Sequence, residues 1–273
     1  MNELVCNRPQ HSNCKLFGRF VLIDTNFLMN IIEVISKTVD LDHLNRSQLD
    51  LFISHLTEFL EKCSTCPSTS KIYTSDQILA NEINLNKANS ALQRDSPFLR
   101  KVAYEYYSDS ARFFSDMHSL VCSKIDPVST RTSDLESVKR ISRTAQTLSD
   151  EDVSLIVSAI VKSNAGGDAF VVTDDEDLRT ALYEVVSAGT ISFSSNTFMT
   201  NKILPLTSCT YTSYLHKCCQ LSNDEQFSIL RYISLKDWTR RLSETKRRKK
   251  GYHFDEALRF LQDSVRIKAQ GGF

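Results

Sequence analysis

The chain has 273 residues, of which 41% are hydrophobic and 24% are charged, and this composition excludes disorder throughout and permits a proper core. Its 33 Lys and Arg balance 33 Asp and Glu, so the net charge of +0 neither indicates nor excludes a nucleic-acid partner. Seven glycines and the lack of a Gly-rich phosphate loop disfavour a nucleotide-binding enzyme.

The first part of the chain alternates strand and helix patterns. Residues 1–18 are polar and turn-forming, which indicates a flexible N-terminal arm. The apolar strand RFVLID follows, and then the helix TNFLMNIIEVISK, whose apolar residues recur at helical spacing. The next predicted elements are a helix over 45–63 capped by Asn45 or Ser47, the strand KIYTS, and a helix over 75–87 capped by Ser75 or Asp76.

The second part continues the alternation. Residues 97–124 are predicted to form one long helical stretch with Pro97 in its first turn, and residues 124–134 a polar loop. The remaining predicted elements are helices over 133–146 and 148–164, the latter capped by Ser149, a strand over 169–173, a helix over 177–186, and a final strand with a short helix in TISFSSNTFMTN. No strand is expected beyond about residue 205, and the region 205–273 is predicted to be a helical C-terminal extension with a basic segment.

This order of elements predicts an α/β fold in which a central, mainly parallel sheet is flanked by helices. The helix over 45–63 and the long region over 97–146 form a helical insertion.

Acidic residues stand at strand ends or in the helices beyond them. They are Asp24 at the end of the first strand, Glu82 in the helix after KIYTS, Asp152 in a first helical turn, and Asp174, Asp175 and Asp177 in TDDEDL. Because ligands bind outside the carboxyl ends of strands in open α/β sheets, one crevice could collect them. Two like charges 4 Å apart cost about 4 kcal/mol at an effective dielectric near 20, so such a group needs a hard cation. Oxygen ligands select Mg²⁺ or Mn²⁺, and phosphodiester hydrolysis is the chemistry that this predicts.

These motifs resemble those of the PIN domain, a family of metal-dependent ribonucleases. The family's first acidic position ends an apolar strand as D-T/S-N/S, which VLIDTN matches with Asp24, Thr25 and Asn26. A glutamate on a helix after a short strand is matched by Glu82 in ILANEI, and D-x-x-I/L-x-x-x-A is matched by Asp152 in SDEDVSLIVSAI. The last motif, T-x-D-x-D-L/F, is matched in VVTDDEDL by Thr173, Asp175 and Asp177, so that the resemblance covers residues 19–198.

The resemblance implies a PIN-like nuclease domain over 19–204 that hydrolyses RNA endonucleolytically, in RNA processing or decay, with Mg²⁺ or Mn²⁺. It implies that Asp24, Glu82, Asp152 and Asp175 are catalytic and hold the metal together with Asp177. The residues expected to support them, by orienting ligands or a water, are Thr25, Asn26, Thr173 and Asp174. A homo-oligomer or a protein partner stays open.

Each carboxylate also has a structural interpretation. Asp24 can cap the helix after it, Asp152 can complement a helix macrodipole, and a helical glutamate such as Glu82 is usually just exposed. Two other functions stay open. One is a PIN-fold scaffold that binds RNA or protein without turnover; the other is a different Mg²⁺-dependent phosphohydrolase, which would normally use an acidic pair in one loop that IDTN lacks.

Two segments outside these motifs have the composition of RNA contacts. We predict that the basic run contacts RNA phosphates, with a nuclear address or a solvated helix end as alternatives; it comprises Arg240, Arg241, Lys246, Arg247, Arg248, Lys249 and Lys250. Upstream, aromatic residues beside Arg100 and Lys101 could stack on bases, namely Tyr104, Tyr106 and Tyr107. For these tyrosines, packing in the core is the favoured interpretation.

The eight cysteines are scattered, and no secretory signal or long apolar span accompanies them. We therefore expect no membrane association and a reducing compartment, the cytoplasm, or the nucleus if the source is eukaryotic. Cys63 and Cys66 form a CxxC without a second pair at zinc-ribbon spacing, although Cys218 and Cys219 could complete a zinc site. Unpaired structural thiols are the favoured interpretation.

Overall fold

The structure is a computed structural model that describes residues 20–36, 39, 43–65, 71–87, 90–194, 196–208 and 211. The predicted N-terminal arm, the basic run and nearly all of the predicted C-terminal extension lie outside these residues. So do Cys66, Cys218 and Cys219, whereas Cys63 is buried in a helix. No helix in the described part is long and apolar enough to cross a membrane.

A central parallel sheet organises the described part. The strands there are β1 Phe20–Ile23, β2 Ile72–Ser75, β3 Ile125–Val128, β4 Ala169–Val172, β5 Thr190–Phe193, β6 Asn196–Met199 and β7 Ile203–Leu206. Five of them form the sheet in the order β3-β2-β1-β4-β7, and every neighbouring pair is parallel. All residues of β2 and β4 are buried, and because successive side chains point to opposite faces, both faces of the sheet are covered.

Helices fill the connections between these strands. The α-helices are α1 Thr25–Ile35, α2 Arg46–Thr65, α3 Asp76–Ile78, α4 Ala91–Asp95, α5 Pro97–Glu105, α6 Tyr107–Lys124, α7 Thr132–Ile141, α8 Asp150–Asn164 and α9 Glu176–Ala188. A π-helical turn, Leu79–Ile83, continues α3, and a 3₁₀ turn, Thr144–Gln146, precedes α8. The α/β class and the flanked parallel sheet predicted from the sequence are confirmed.

Side-chain caps begin three of the helices as predicted. Asn45 Oδ1 accepts a hydrogen bond of 3.1 Å from the backbone N–H of Gln48, which identifies Asn45 as the cap of α2. Ser75 Oγ accepts from the backbone N–H of Ile78 at 3.0 Å, and Ser149 Oγ accepts from that of Asp152 at 3.1 Å. Each cap satisfies a backbone donor that has no partner within its helix.

The prediction of a polar loop over 124–134 is wrong, because its first half is strand β3. Asp126 and Pro127 interrupt the apolar pattern of this strand, but within the described part of the chain β3 is an edge strand that pairs with β2 alone. An edge strand tolerates proline because one side of its backbone needs no partner. The opposite edge strand, β7, was not predicted and carries Pro205 in the same way. Both edges of the sheet are therefore poor templates for another strand.

Three helix predictions also need correction. The predicted helix over 97–124 is two helices, because Tyr106 adopts φ −118° and ψ 42° and so ends α5 before α6 begins. The predicted helix over 75–87 ends at Ile83 as a π-helical turn. The short helix predicted in TISFSSNTFMTN is instead β6, which pairs with β5 in an antiparallel hairpin that turns at Ser194, where φ is 50°.

The tyrosines around residue 105 do not form a core face. Tyr104 is 88% exposed, so its predicted packing in the core is wrong. Tyr106 is partly buried against the hydrophobic core, as predicted. The side chain of Tyr107 lies outside the described residues.

One helix, α8, fixes the relation between the sheet and the predicted acidic residues. It packs against β1, β2 and β4, and its buried apolar side chains include Val153, Ile156 and Ile160. Because α8 lies against the centre of the sheet, its first turn, which contains Asp152, reaches the carboxyl ends of the strands. Ser154 Oγ donates to Ser75 Oγ at the end of β2 at 2.6 Å, which fixes this end of α8.

Candidate carboxylate site

The candidate site lies where the order of the strands reverses. From β1 the chain proceeds outward to β2 and β3, and it then returns to place β4 on the other side of β1. Ligands of open α/β sheets bind outside the carboxyl ends of the strands at such a point. Asp24 directly follows β1, and residues 173–175 directly follow β4. The acidic residues of these two segments therefore flank the crevice that the topology creates.

Asp24 is held by side chains rather than used as a helix cap. Its side chain is buried, with 2% of the residue exposed. Thr173 Oγ1 donates to Asp24 Oδ2 at 2.7 Å, and Asn26 Nδ2 donates to the same oxygen at 3.2 Å. Among the described residues, no backbone N–H of α1 donates to the carboxylate, and no donor reaches Oδ1. One oxygen is thus fixed, and the other is left available to a ligand.

The environment of Asp24 favours its protonated form in the absence of a cation. Burial raises the pKa of Asp24 from 3.8 to about 7, and the negative charges of Asp152 and Glu82 act in the same direction. The hydrogen bonds from Thr173 and Asn26 oppose this shift only in part. A buried carboxylate with like-charged neighbours is a group whose ionisation a bound cation would favour.

Glu82 is directed toward the site by the π-helical turn Leu79–Ile83. Thr25 Oγ1, in the first turn of α1, donates a short hydrogen bond to Glu82 Oε2. Burial raises the pKa of Glu82, and the charge of Asp152 raises it further. The structural alternative of a merely exposed helical glutamate therefore does not apply. Single π-helical turns within helices are frequent at functional sites, because they redirect one side chain.

Asp152 lies in the first turn of α8 and is bound by the capping serine. Ser149 Oγ donates to Asp152 Oδ2 at 2.7 Å while it accepts from the Asp152 backbone. Burial raises the pKa of Asp152, and the charges of Asp175 and then Glu151 contribute to the shift. Asp152 thus interacts electrostatically with Asp24, Glu82 and Asp175.

Three residues of the segment after β4, Thr173, Asp175 and Asp177, have different environments. Asp175 caps α9, since its Oδ1 accepts from the backbone N–H groups of Asp177 at 2.8 Å and Leu178 at 3.1 Å. Thr173 links the cluster to β1, because its hydroxyl accepts from the backbone N–H of Asp175 at 3.0 Å and donates to Asp24. Asp177 is exposed, and its carboxylate accepts no hydrogen bond from the described residues.

Asp174 joins three parts of the fold. It is buried, and its Oδ2 accepts from Asn30 Nδ2 at 2.6 Å and from Ser208 Oγ at 2.5 Å. Its Oδ1 accepts from the backbone N–H of Ser208 at 2.9 Å. These bonds tie the end of β4 to α1 and to the segment after β7, so the carboxylate is engaged in structural contacts.

Two charged residues near the site had not been predicted. Glu151 accepts a hydrogen bond of 2.9 Å from Asn81 Nδ2 and raises the pKa of both Glu82 and Asp152, after the larger effect of burial. Arg94 acts on Glu82 in the opposite direction. The run SDED offers three carboxylates in one helical turn, and the sequence alone does not say which of them face the sheet.

The chemistry of these donors fits a hard divalent cation. In the described part of the chain, no three His, Cys, Asp or Glu side chains are close enough together to hold one metal ion. Mg²⁺ does not require three, because proteins usually bind it through one or two carboxylates and complete its shell with water and substrate phosphates. Asp24, with its available Oδ1, and its acidic neighbours supply oxygen donors only, which excludes the thiolate-rich sites typical of structural zinc.

Compared with protein-family models, with curated proteins and with solved structures, the chain matches none of them.

Proposed function

We propose that the chain is a PIN-like ribonuclease that hydrolyses RNA phosphodiester bonds with Mg²⁺ or Mn²⁺, endonucleolytically, in RNA processing or decay inside the cytoplasm or nucleus. The observation that carries the proposal is Asp24, a buried carboxylate at the reversal of the strand order, which interacts electrostatically with Asp152 and Glu82. Asp175 in turn interacts with Asp152. The order of the acidic motifs, which resembles that of PIN domains, supports the same activity.

The four carboxylates have different parts in this proposal. Asp24 would hold the ion through Oδ1. Asp152 and Glu82 would add negative charge near Asp24, and Asp175 would add negative charge near Asp152. When bound, the ion supplies a Lewis acid for a phosphoryl oxygen and lowers the pKa of a bound water. Thr173 and Asn26 orient the Asp24 carboxylate, and Thr25 orients that of Glu82.

The raised pKa values bear on proton transfer. Burial raises the pKa of Glu82 and of Asp152, which brings both carboxylates closer to neutral pH than an exposed acid. A carboxylate with a raised pKa accepts a proton more readily than an exposed one, and either group could accept the proton of the attacking water. The serine hydroxyl on Asp152 Oδ2 leaves Asp152 Oδ1 for that purpose.

Cleavage is expected to require added Mg²⁺ or Mn²⁺ and to stop in a chelator, because the described carboxylates offer no electrophile of their own. The measurement is cleavage of a panel of single-stranded and structured RNAs, together with calorimetric titration of Mn²⁺ into the protein. If the wild type binds Mn²⁺ and Asp24→Asn abolishes this binding, the result would support the proposed metal site independently of catalytic turnover. Cleavage that persists in chelator would contradict the metal mechanism.

The basic run is expected to bind RNA backbone and to have no part in the chemistry. Replacing Lys246, Arg247, Arg248, Lys249 and Lys250 by Ser should weaken RNA binding, and each lost phosphate contact should flatten the slope of log affinity against log salt by about 0.7. Cleavage at saturating RNA should change little. An unchanged affinity with an unchanged slope would identify the run as a solvated segment or an address signal.

A further inference from the structure

A basic and aromatic surface extends from the turn that carries Glu82. Helix α4 packs against this turn, Leu79–Ile83, and Arg94 lies in the last turn of α4. Arg94 is therefore a cation at the border of the candidate site.

Asp95 holds the guanidinium of Arg94 in a fixed orientation. Arg94 Nε donates to Asp95 Oδ1 at 2.8 Å, and Arg94 Nη2 donates to Asp95 Oδ2 at 2.7 Å. A guanidinium has five N–H donors in a rigid fork, so three remain for an anion. The side chain is 62% exposed, which leaves these donors accessible to a phosphate.

Arg100 and Tyr104 extend this surface along α5. Helix α5 packs against α4, and the charge of Arg100 lowers the pKa of Asp95 after the larger effect of the hydrogen bonds with Arg94. Arg100 and Tyr104 are four residues apart in α5 and share a face of that helix. Tyr104 is 88% exposed, more than any other exposed large hydrophobic side chain of the described residues.

We propose that Arg94, Arg100 and Tyr104, here called the α4–α5 track, bind the single-stranded part of an RNA whose phosphodiester lies at the carboxylate site. Proteins bind single strands by combining backbone phosphate contacts with aromatic rings on which bases stack. The exposed Tyr104 ring on the same helix face as the exposed Arg100, with the exposed Arg94 on the adjoining helix, has both parts of this combination. The proposal rests on the proposed ribonuclease function and adds to it a binding surface and a preference for unpaired RNA.

The exposed ring discriminates between single strands and duplexes. In a duplex each base already stacks on its neighbours, and proteins bind double-stranded RNA mainly through phosphates and 2′-hydroxyl groups. Tyr104 can therefore contribute to the binding of unpaired bases and not to that of a continuous helix. Loss of the ring should lower the affinity for single strands and leave that for duplexes unchanged. Loss of either arginine should lower the affinity and also make it less dependent on the salt concentration.

The test is binding of a fluorescent single-stranded oligoribonucleotide and of its duplex, measured in chelator over a range of salt concentrations. Tyr104→Ala is expected to weaken single-strand binding about tenfold and leave duplex binding unchanged, and Tyr104→Phe is expected to preserve both. Arg94→Gln and Arg100→Gln should each lower the salt slope by about 0.7. In cleavage assays, Tyr104→Ala should raise the KM for single-stranded RNA with little change in kcat.

Two matched variants control for unspecific effects. Tyr183→Ala removes another exposed tyrosine, on α9, and Arg46→Gln removes an arginine that pairs with Asp50 and Asp116 on α2 and α6. Neither should affect binding. Equal losses in Tyr104→Ala and Tyr183→Ala, or unchanged binding in all three track variants, would overturn the track.

The outcomes also separate the track from the proposed function. If the wild-type protein cleaves RNA and the track variants bind RNA normally, the ribonuclease proposal stands and the track is overturned. A protein that binds single strands through the track but cleaves no RNA with Mg²⁺ or Mn²⁺ overturns the ribonuclease proposal and supports the track as a binding surface. A protein that binds neither RNA form overturns both.

Discussion

Asp24→Asn and Asp152→Asn are each expected to reduce metal-dependent RNA cleavage by several orders of magnitude while the protein stays folded. Removing a ligand charge weakens ion binding, and with it the activation of water and the polarisation of the phosphoryl group. An amide preserves the shape of each side chain, and the Thr173 and Ser149 hydroxyls can still donate to its oxygen. The measurement is the single-turnover cleavage rate at saturating RNA and Mg²⁺.

Asp150→Asn is the matched control for this prediction. Asp150 lies two residues before Asp152 in the same helical turn, but its carboxylate is exposed and pairs with Lys139 at 2.5 Å. The variant makes the same chemical change outside the site, and an exposed ion pair of this kind is worth at most about 1 kcal/mol. Cleavage by Asp150→Asn should stay close to wild type. Near-normal turnover in Asp24→Asn or Asp152→Asn would show that the site lies elsewhere.

Asp24→Asn is also expected to stabilise the metal-free protein at alkaline pH. The pKa of Asp24 is about 7 in the folded protein against 3.8 for an ordinary aspartate, so the native state binds this proton more tightly than the unfolded chain. The contribution of protonated Asp24 to the stability of the fold is fully present below pH 3.8 and is lost as the pH rises through about 7. The difference between the two pKa values corresponds to about 4 kcal/mol in the free energy of unfolding at pH 8.

The measurement is denaturant unfolding of both proteins in chelator between pH 4 and pH 8. At pH 4 their free energies of unfolding should be similar, and at pH 8 the variant should be more stable by several kcal/mol. Mn²⁺ should stabilise the wild type alone, since a ligand stabilises the state that binds it. A variant that is less stable than wild type at pH 8 would show that the buried charge is already compensated within the fold.

Asp174→Asn provides the opposite comparison, at the end of the neighbouring strand β4. Asp174 is also buried, but its carboxylate accepts hydrogen bonds from Asn30 and from the backbone and hydroxyl of Ser208. An amide cannot accept at both positions, so this variant should be less stable than wild type at pH 8. The contrast tests whether Asp24 is retained for binding an ion rather than for holding the fold together.

Together the two effects of Asp24→Asn separate a functional carboxylate from a structural one. Loss of a structural carboxylate lowers stability and activity together, because the site collapses with the fold. Here activity should fall while the metal-free stability rises, which is the trade-off expected where a group is kept in an unfavourable environment for its chemistry.

Local patterns in the sequence were sufficient to predict most of the helices, the strands beside the carboxylates and three helix caps. The strand before Asp24 is a short apolar run, and the caps at Asn45, Ser75 and Ser149 depend on side chains that bond to a backbone N–H three residues away. Such signals are contained within a few residues of chain, so no tertiary contact is needed to recognise them.

The strands at the edges of the sheet could not be predicted in this way. Both β3 and β7 are interrupted by proline and flanked by polar residues, and each is a strand only because a neighbour in the sheet supplies its hydrogen bonds. The same reason applies to the hairpin, in which β6 is largely exposed and, among the strands that the structure describes, pairs with β5 alone. Pairing between segments distant in the chain leaves little trace in the local pattern.

The amino-acid sequence by itself determined which acidic residues lie at a strand end or in a helix that follows a strand or loop, and hence that Asp24, Glu82, Asp152 and Asp175 were candidates for one crevice. Only the tertiary structure decided their individual environments: the burial of Asp24, the turn that directs Glu82, the structural bonds of Asp174 and the exposure of Tyr104. The physical reason is that periodicity specifies the face of an element on which a side chain lies. Burial, charge and hydrogen-bond partners depend on what other elements pack against that face, and distant parts of the chain supply those elements.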